Sequence, residues 1–143
     1  PSHHSWQPPA VGSFKCNVDV ALFILHGLFK AGICLDNHTG FFINFTTCHF
    51  TLLPKPHECE ALALYEALQW VKSQHLNSVT FETNCINVFH SINSSHNDLT
   101  KFGATIHNCK ILLNKLKNRK VNFTSKQANL TTHMLAKATK FLV

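Results

Sequence analysis

The order of hydrophobic and polar residues predicts that the first part of the chain forms three consecutive strands. Residues 14–21 alternate apolar and polar side chains near their centre, and residues 27–35 form a second apolar run. A turn is expected at residues 36–40, where Asp, Asn and Gly tolerate positive φ angles. Residues 41–53 are rich in β-branched and aromatic side chains, which favours a third strand. Three strands in succession predict an antiparallel meander.

The apolar spacing changes to the helical period after the third strand. Two prolines end the sheet, because proline cannot donate to a strand ladder. Ala61, Leu64, Leu68 and Val71 then recur at intervals of three or four residues. This spacing predicts a helix over residues 58–74.

The second half of the chain is expected to continue as alternating helices and strands. A short strand is predicted at residues 79–82, and Asn84 is interpreted as the N-cap of the helix that follows it. A longer helix over residues 99–117, a last strand over 120–124 and a final helix over 128–140 complete the pattern. Because the two late strands each follow a helix, they can join the sheet parallel to the first strand.

This element order, βββαβααβα, predicts an α/β fold with a mixed five-stranded sheet. The first three strands form the antiparallel meander, the fourth and fifth lie parallel to the first, and helices cover both faces. We expect one domain over residues 13–143, preceded by an extended, proline-containing linker over residues 1–12. A chain of 143 residues with 45% hydrophobic residues is long enough for one domain with a core of its own.

Composition narrows the class of protein further. No apolar run is long enough for a transmembrane helix, and the start lacks the features of a signal peptide. We therefore expect an intracellular protein, nuclear or cytoplasmic, that is neither secreted nor bound to a membrane. The six cysteines form no C-x-x-C pair, so we interpret them as buried, reduced side chains rather than zinc ligands or disulfides.

The charge of the chain is basic and unevenly distributed. The formal net charge is +6, and residues 101–143 contain nine Lys or Arg and no Asp or Glu. A one-sided basic excess is typical of proteins that bind nucleic acid. The alternative interpretation is a solvated, soluble surface.

Five stretches of the chain together resemble the type 1 ribonuclease H domain of plant non-LTR retroelements and their relatives. They follow one another at compatible spacing and cover nearly the whole sequence. They are residues 15–19, 32–40, 59–64, 81–85 and 126–136, preceded by a Trp-x-Pro-Pro start at residues 6–9. The resemblance implies a ribonuclease H-like fold and a hydrolase that cuts the RNA strand of an RNA–DNA hybrid endonucleolytically.

By this resemblance the catalytic positions are Asp19, Glu60, Asn84 and His133, of which the first three would also be metal ligands. The family uses two Mg²⁺ ions, which activate a water molecule and stabilise the leaving oxygen. Mg²⁺ prefers carboxylate and water oxygens, so acids must converge from different elements of the fold. Position 84 holds an amide where the family has its third acid, so we expect impaired catalysis. At position 133, histidine in place of an acid is common in this branch of the family.

Substrate contacts implied by the resemblance involve the minor groove, 2′-hydroxyls and phosphates of the hybrid. The expected nucleic-acid contacts are Asn17, Thr83, Arg119, Lys120, Lys126 and Asn129. The hairpin carries Asp36-Asn37 in place of the family's usual Arg-Asp dipeptide, which removes a positive charge on the substrate side.

Each candidate residue also has a purely structural interpretation. Asp19 could be a strand residue without a ligand, and Glu60 a first-turn acid favoured by the helix dipole. Asn84 could serve only as an N-cap, and His133 could be a half-exposed helix residue. Glu58 and Glu82 are expected to be surface residues rather than substitute ligands.

Three functional hypotheses follow from the sequence. The first is a nucleic-acid-binding ribonuclease H-type domain, with Mg²⁺ as cofactor and weakened hybrid cleavage. The second is a retroelement-derived binding module without chemistry, and the third is a protein-interaction domain that keeps only the fold. For all three we expect a monomer, which could once have followed an upstream domain in a longer protein.

Overall fold

A computed structural model of the chain describes residues 12–125, and these form a mixed five-stranded sheet packed by helices. The strands and helices are β1 (Phe14–Phe23), β2 (Leu28–Asn37), β3 (Phe42–Phe50), α1 (Pro56–Ser73), β4 (Val79–Thr83), α2 (Ile86–Ile92), α3 (Lys101–Asn114) and β5 (Lys120–Phe123). The strand order is β3-β2-β1-β4-β5, in which β1 pairs antiparallel with β2 and parallel with β4. The predicted fold class and sheet topology are therefore confirmed.

Two hairpins build the antiparallel half of the sheet. A single 3₁₀ turn, Ile24–His26, joins β1 to β2 and ends at Gly27, whose φ of 61° lies in the left-handed region. The hairpin between β2 and β3 is held by Asn37. Its Oδ1 atom accepts hydrogen bonds from the backbone N–H groups of Thr39 and Phe41. An asparagine that bonds its own turn in this way fixes the hairpin without help from the rest of the fold.

The sheet has two distinct faces, because side chains alternate along a strand. The core face carries Cys16, Val18 and Val20 of β1, which pack with the buried residues of α1 and α3. We call the opposite side the polar face; β1 contributes Lys15, Asn17 and Asp19 to it. None of these three side chains is more than 4% exposed, so both faces of β1 are buried.

Several element ends differ from the prediction. The third strand ends at Phe50, before residue 53, and the long helix spans Lys101–Asn114 instead of 99–117. The N-terminal linker up to residue 11 and the final helix predicted over residues 128–140 lie outside the described residues. Within residues 12–125, no helix is long and apolar enough to cross a bilayer.

The start of α3 depends on a glycine that lets two backbone segments touch. Thr100 caps the helix by accepting the N–H of Gly103, and Asp98 accepts the Thr100 hydroxyl at 2.6 Å. A Cβ atom at position 103 would lie 2.0 Å from the backbone oxygen of Asp98. Such a contact is impossible without moving the loop, so the glycine is required by packing.

We expect the Gly103→Ala variant to lose about 1–3 kcal/mol of unfolding free energy, because overpacking against backbone outweighs alanine's better helix propensity. Urea unfolding monitored by circular dichroism measures the effect. Asn108→Ala, an exposed position on the same helix, is the matched control and should be neutral or slightly stabilising. A more stable Gly103→Ala protein would contradict the close approach of Asp98.

Candidate active site

The parallel register of β1 and β4 brings Asp19 and Asn84 together. Val18 of β1 pairs with Thr83, which is the last residue of β4. The residues that follow these two, Asp19 and Asn84, therefore lie side by side where the β1–β4 pairing ends. The Asn84 side-chain Nδ2 donates a hydrogen bond to Asp19 Oδ1 at 2.8 Å. Two positions 65 residues apart in sequence are thus in direct contact.

Asp19 is held in a fixed position beside Asn84. It is 2% exposed, and its Oδ1 atom also accepts the backbone N–H of Val20 at 2.9 Å. The Asn84 amide and the Val20 N–H both donate to this one oxygen, so two hydrogen bonds fix the direction of the carboxylate. The side chain is therefore ordered by Asn84 and by the strand itself.

Glu60 lies in the first turns of α1, close enough to Cys85 for its charge to act on that thiol. The helix begins with proline at its first position, and Glu58 Oε1 accepts the N–H of Lys55 at 3.1 Å, which closes the N-terminus. Glu60 is half-buried. Burial raises the pKa of the Cys85 thiol, and the charge of Glu60 raises it further. Glu60 therefore lies within electrostatic reach of the residue that follows Asn84.

Asn84 does not cap α2, so that prediction was wrong. The N-cap is Cys85, and the helix spans Ile86–Ile92. Thr83 holds the chain at the start of α2 instead, because its hydroxyl accepts a hydrogen bond from the Cys85 N–H at 3.1 Å. The Asn84 amide is thereby left to point at Asp19, and its Oδ1 atom is buried without a hydrogen-bond partner among the described residues.

The oxygen atoms of Asp19, Glu60 and Asn84 are the possible ligands for the Mg²⁺ ions that the resemblance implies. Asp19 and Glu60 offer carboxylates and Asn84 an amide oxygen, all of the hard oxygen type that Mg²⁺ prefers. The buried Asn84 Oδ1 atom would face a cation after a rotation of the amide by about 180°, which exchanges its oxygen and nitrogen. Over residues 12–125, no three His, Cys, Asp or Glu side chains form a metal-binding group. The oxygen donors of Asp19, Glu60 and Asn84 are nevertheless of the chemical type that suits a divalent cation such as Mg²⁺.

A buried ion pair occupies the same polar face of the sheet as Asp19. Lys15 Nζ lies 3.3 Å from Glu82 Oε2, and the two side chains are 5% and 10% exposed. Burial raises the pKa of Glu82, while the charge and hydrogen bond of Lys15 lower it. Asn17 Nδ2 lies 3.4 Å from Asp36 Oδ2, at the edge of the same group. Burial also raises the pKa of Asp36, with Lys15 opposing it.

The expectation that Glu82 is a surface residue was therefore wrong. Its carboxylate is buried because Glu82 pairs with Asn17 across the β1–β4 ladder and faces Lys15. One signal in the sequence pointed to this group: Lys15, Asn17 and Asp19 alternate with apolar residues and so share one face. The register between strands far apart in sequence, which selects Glu82 as the partner, is not visible in that pattern.

The predicted nucleic-acid contacts occupy different environments. Asn17 is buried on the polar face, and Thr83 is 2% exposed with its hydroxyl bonded to the Cys85 N–H. Arg119 and Lys120 are exposed at the start of β5, where Arg119 donates a hydrogen bond to Asn114 Oδ1. Three further candidates, Lys126, Asn129 and His133, lie outside the described residues.

The fold is similar to those of three solved structures, each at low sequence identity. RNase H1 from the halophilic archaeon Halobacterium salinarum has a TM-score of 0.82 and 14% identity, over 92% of this chain and 100% of that chain. LC11-RNase H1, isolated from compost and solved in complex with an RNA/DNA hybrid, gives 0.77 and 11%, covering 88% and 95%. The foamy viral protease-reverse transcriptase with an RNA/DNA hybrid gives 0.70 and 15%, over 100% of this chain and 22% of that one.

Sequence comparison adds the family to the fold. No curated protein matches the chain. A profile described as reverse transcriptase-like matches residues 17–139, which includes the Asp19, Glu60 and Asn84 positions. Because that match spans most of the sequence, the chain belongs to the reverse transcriptase-like family, with a ribonuclease H-like fold.

Proposed function

We propose that this domain binds RNA–DNA hybrids in the manner of a ribonuclease H, and that its Mg²⁺-dependent cleavage of the RNA strand is impaired. The observation that carries the proposal is the 2.8 Å hydrogen bond from Asn84 to Asp19. It puts an amide where a third acid would complete the cation site. We further propose an origin in plant non-LTR retroelements, an intracellular location and an upstream domain in the parent protein.

The chain's own residues would have separate tasks in this reaction. Asp19 and Glu60 would hold a divalent cation, and that cation, when bound, supplies the activated water and the stabilisation of the leaving oxygen. Asn84 orients the Asp19 carboxylate through its N–H group. It contributes no charge, however, so two cations would share only two formal negative charges.

Binding of the hybrid is proposed to depend on shape and on the phosphate backbone. The net charge of +6 supplies a long-range attraction that does not depend on sequence. Arg119 and Lys120 are exposed, and the hydrogen bond of Arg119 goes to the neutral Asn114, so both cations can approach phosphates.

We expect hybrid binding to weaken steeply with salt, and the slope to depend on the cations at the start of β5. Each phosphate contact contributes about −0.9 to the slope of log K against log salt. The double variant Arg119→Gln/Lys120→Gln should therefore flatten the slope by about 2. Fluorescence anisotropy with a labelled hybrid in EDTA, which prevents cleavage, measures it.

The matched control is Lys72→Gln, which removes an exposed cation from the last turn of α1. Lys72 lies about 18 Å along the helix from Glu60, at a rise of about 1.5 Å per residue. Its removal should leave the slope unchanged. An effect of Lys72→Gln half as large as that of the double variant would point to net charge alone, because it removes half the charge, and an absence of salt-sensitive binding would refute a nucleic-acid function.

A second candidate function is a binding module without chemistry. The Asn84–Asp19 hydrogen bond favours it, because a neutral amide stabilises the Asp19 carboxylate without any cation. This candidate predicts salt-sensitive hybrid binding that Asp19→Ala leaves unchanged, together with no RNA cleavage at any Mg²⁺ concentration. Metal-dependent cleavage by the wild-type chain would exclude it.

A further inference from the structure

The strand β3 forms one edge of the sheet and is poorly covered. Among the described strands it pairs only with β2, so its other side is available for pairing. Phe42, Ile43 and Phe45 are 54%, 48% and 46% exposed, and Phe41, just before the strand, is 72% exposed. The rings of Phe42 and Phe45 lie 5.7 Å apart and form one aromatic cluster. We call β3 with Phe41 the β3 edge.

Main-chain groups of the β3 edge alternate between β2 and the outside. Phe45 N–H donates to the side chain of its neighbour Asn44 at 2.9 Å, so it points away from β2. Because the main-chain N–H and C=O groups of successive residues point to opposite sides of a strand, the N–H groups of Thr47 and His49 point away from β2 as well. Outward N–H and C=O groups in a row form a template for another strand.

The exposed apolar area is large enough to matter. A phenylalanine side chain presents about 200 Å², so the exposed fractions of Phe41, Phe42 and Phe45 amount to about 350 Å². Contiguous apolar patches above a few hundred Å² mark interaction sites. Two such patches, together with the paired backbones, approach the roughly 1,000 Å² that a specific protein interface requires.

The absence of charged residues from the β3 edge indicates which kind of partner it can bind. Residues 41–53 contain no Lys, Arg, Asp or Glu, although the whole chain has 13 Lys/Arg and 7 Asp/Glu. Phosphates would find no cation here, and the residue paired with Phe42 is the acidic Asp36. An uncharged strand can pair with a copy of itself without like-charge repulsion, and a two-fold axis satisfies the outward groups of both copies.

We propose that the β3 edge is a self-association surface, through which two copies of this chain form an antiparallel dimer with one continuous sheet. Such a dimer is closed, because each copy uses the same strand and no free β3 edge remains. This inference departs from the monomer expected from the sequence. It is independent of catalysis and of hybrid binding, since Asn84 lies at the far side of β1 from β3.

Sedimentation velocity of the full chain tests the proposal. Between about 1 µM and about 100 µM, the range of weak specific interfaces, the mass should rise from monomer to dimer and stop there. Phe45→Lys or Ile43→Lys should each raise the dimer Kd more than about tenfold, because each puts a charge from both copies into an otherwise uncharged interface. Leu25→Lys, at an apolar position 97% exposed in the β1–β2 turn, is the matched control and should leave the Kd unchanged.

Hydrogen exchange provides a readout specific to strand pairing. The outward amides of Thr47 and His49 should become protected as concentration rises, while those of Thr46 and Cys48, which face β2, should be protected at all concentrations. A monomer throughout the range, growth beyond a dimer, or equal weakening by Leu25→Lys and Phe45→Lys would each overturn the proposal. So would association without concentration-dependent protection of Thr47 and His49.

Discussion

Replacing Asn84 by aspartate is expected to raise Mg²⁺-dependent cleavage of an RNA–DNA hybrid by at least about 100-fold. The change restores a negative charge beside Asp19, at the point where the Asn84 side chain lies 2.8 Å from the carboxylate. A carboxylate and a cation with unit charges about 4 Å apart attract each other by about 4 kcal/mol at an effective dielectric constant of about 20. A 100-fold rate increase requires the activation free energy to fall by only about 2.7 kcal/mol, which is less than this attraction. Single-turnover assays with a labelled hybrid measure the rate.

Asn87→Asp is the matched control, since it makes the same amide-to-acid change at an exposed position of α2, three residues further along. It should leave the rate unchanged, because its charge is screened by solvent. Adding Asp19→Asn to the Asn84→Asp chain should abolish the gain. Equal rates for the wild type and Asn84→Asp would mean that position 84 does not limit catalysis.

The Asn84→Asp variant should also change the stability of the fold, which can be measured without any assay of activity. Without a cation, two adjacent carboxylates repel each other, so one pKa rises and the folded state loses stability at neutral pH. A divalent cation that binds only the folded state restores that stability by mass action. The melting temperature of Asn84→Asp should therefore rise with Mg²⁺ more than that of the wild type. An equal rise in both proteins would count against Asn84 as a cation-site residue.

The sequence was most informative where local patterns determine structure. Spacing, composition and turn residues together predicted the five strands and three α-helices of residues 12–125, although not the 3₁₀ turn at Ile24–His26, and the helix before each late strand predicted its parallel pairing. Position 84 was placed beside Asp19 by resemblance, and the register of Val18 with Thr83 gives the physical reason. That register depends on packing between distant segments, so no local pattern contains it.

The errors have the same origin. Asn84 is a good N-cap by propensity, yet Thr83 orders the start of α2 and the Asn84 amide bonds Asp19 instead. Glu82 was expected at the surface because acids are rarely buried alone. It is buried because Lys15 lies opposite on the neighbouring strand. Tertiary partners outweighed local preference in both cases.

The Lys15–Glu82 pair makes this point testable, because it lies on the polar face with little solvent contact. Removing only one partner of a buried ion pair leaves an uncompensated charge, which typically costs about 3–5 kcal/mol. We therefore expect Lys15→Met to lose about that much unfolding free energy near pH 7. The double variant Lys15→Met/Glu82→Leu should recover most of the loss, since apolar pairs of similar volume can replace buried ion pairs. Urea unfolding of the wild type, the single and the double variant measures both effects.

The pH dependence of this loss tests whether it comes from the buried acids that Lys15 faces, Glu82 first and then Asp36. In the folded protein burial raises the pKa of Glu82, and Lys15 partly opposes the shift, so Lys15→Met raises it further. A carboxyl group with a raised folded pKa stabilises the fold below its unfolded pKa, and this contribution is lost as pH rises through the folded value. Lys15→Met should therefore be strongly destabilised near pH 7 and much less so near pH 4, where Glu82 is neutral in the folded state. A loss independent of pH, and unchanged by Glu82→Leu, would assign the effect to the packing of the lysine stem instead of the buried charge.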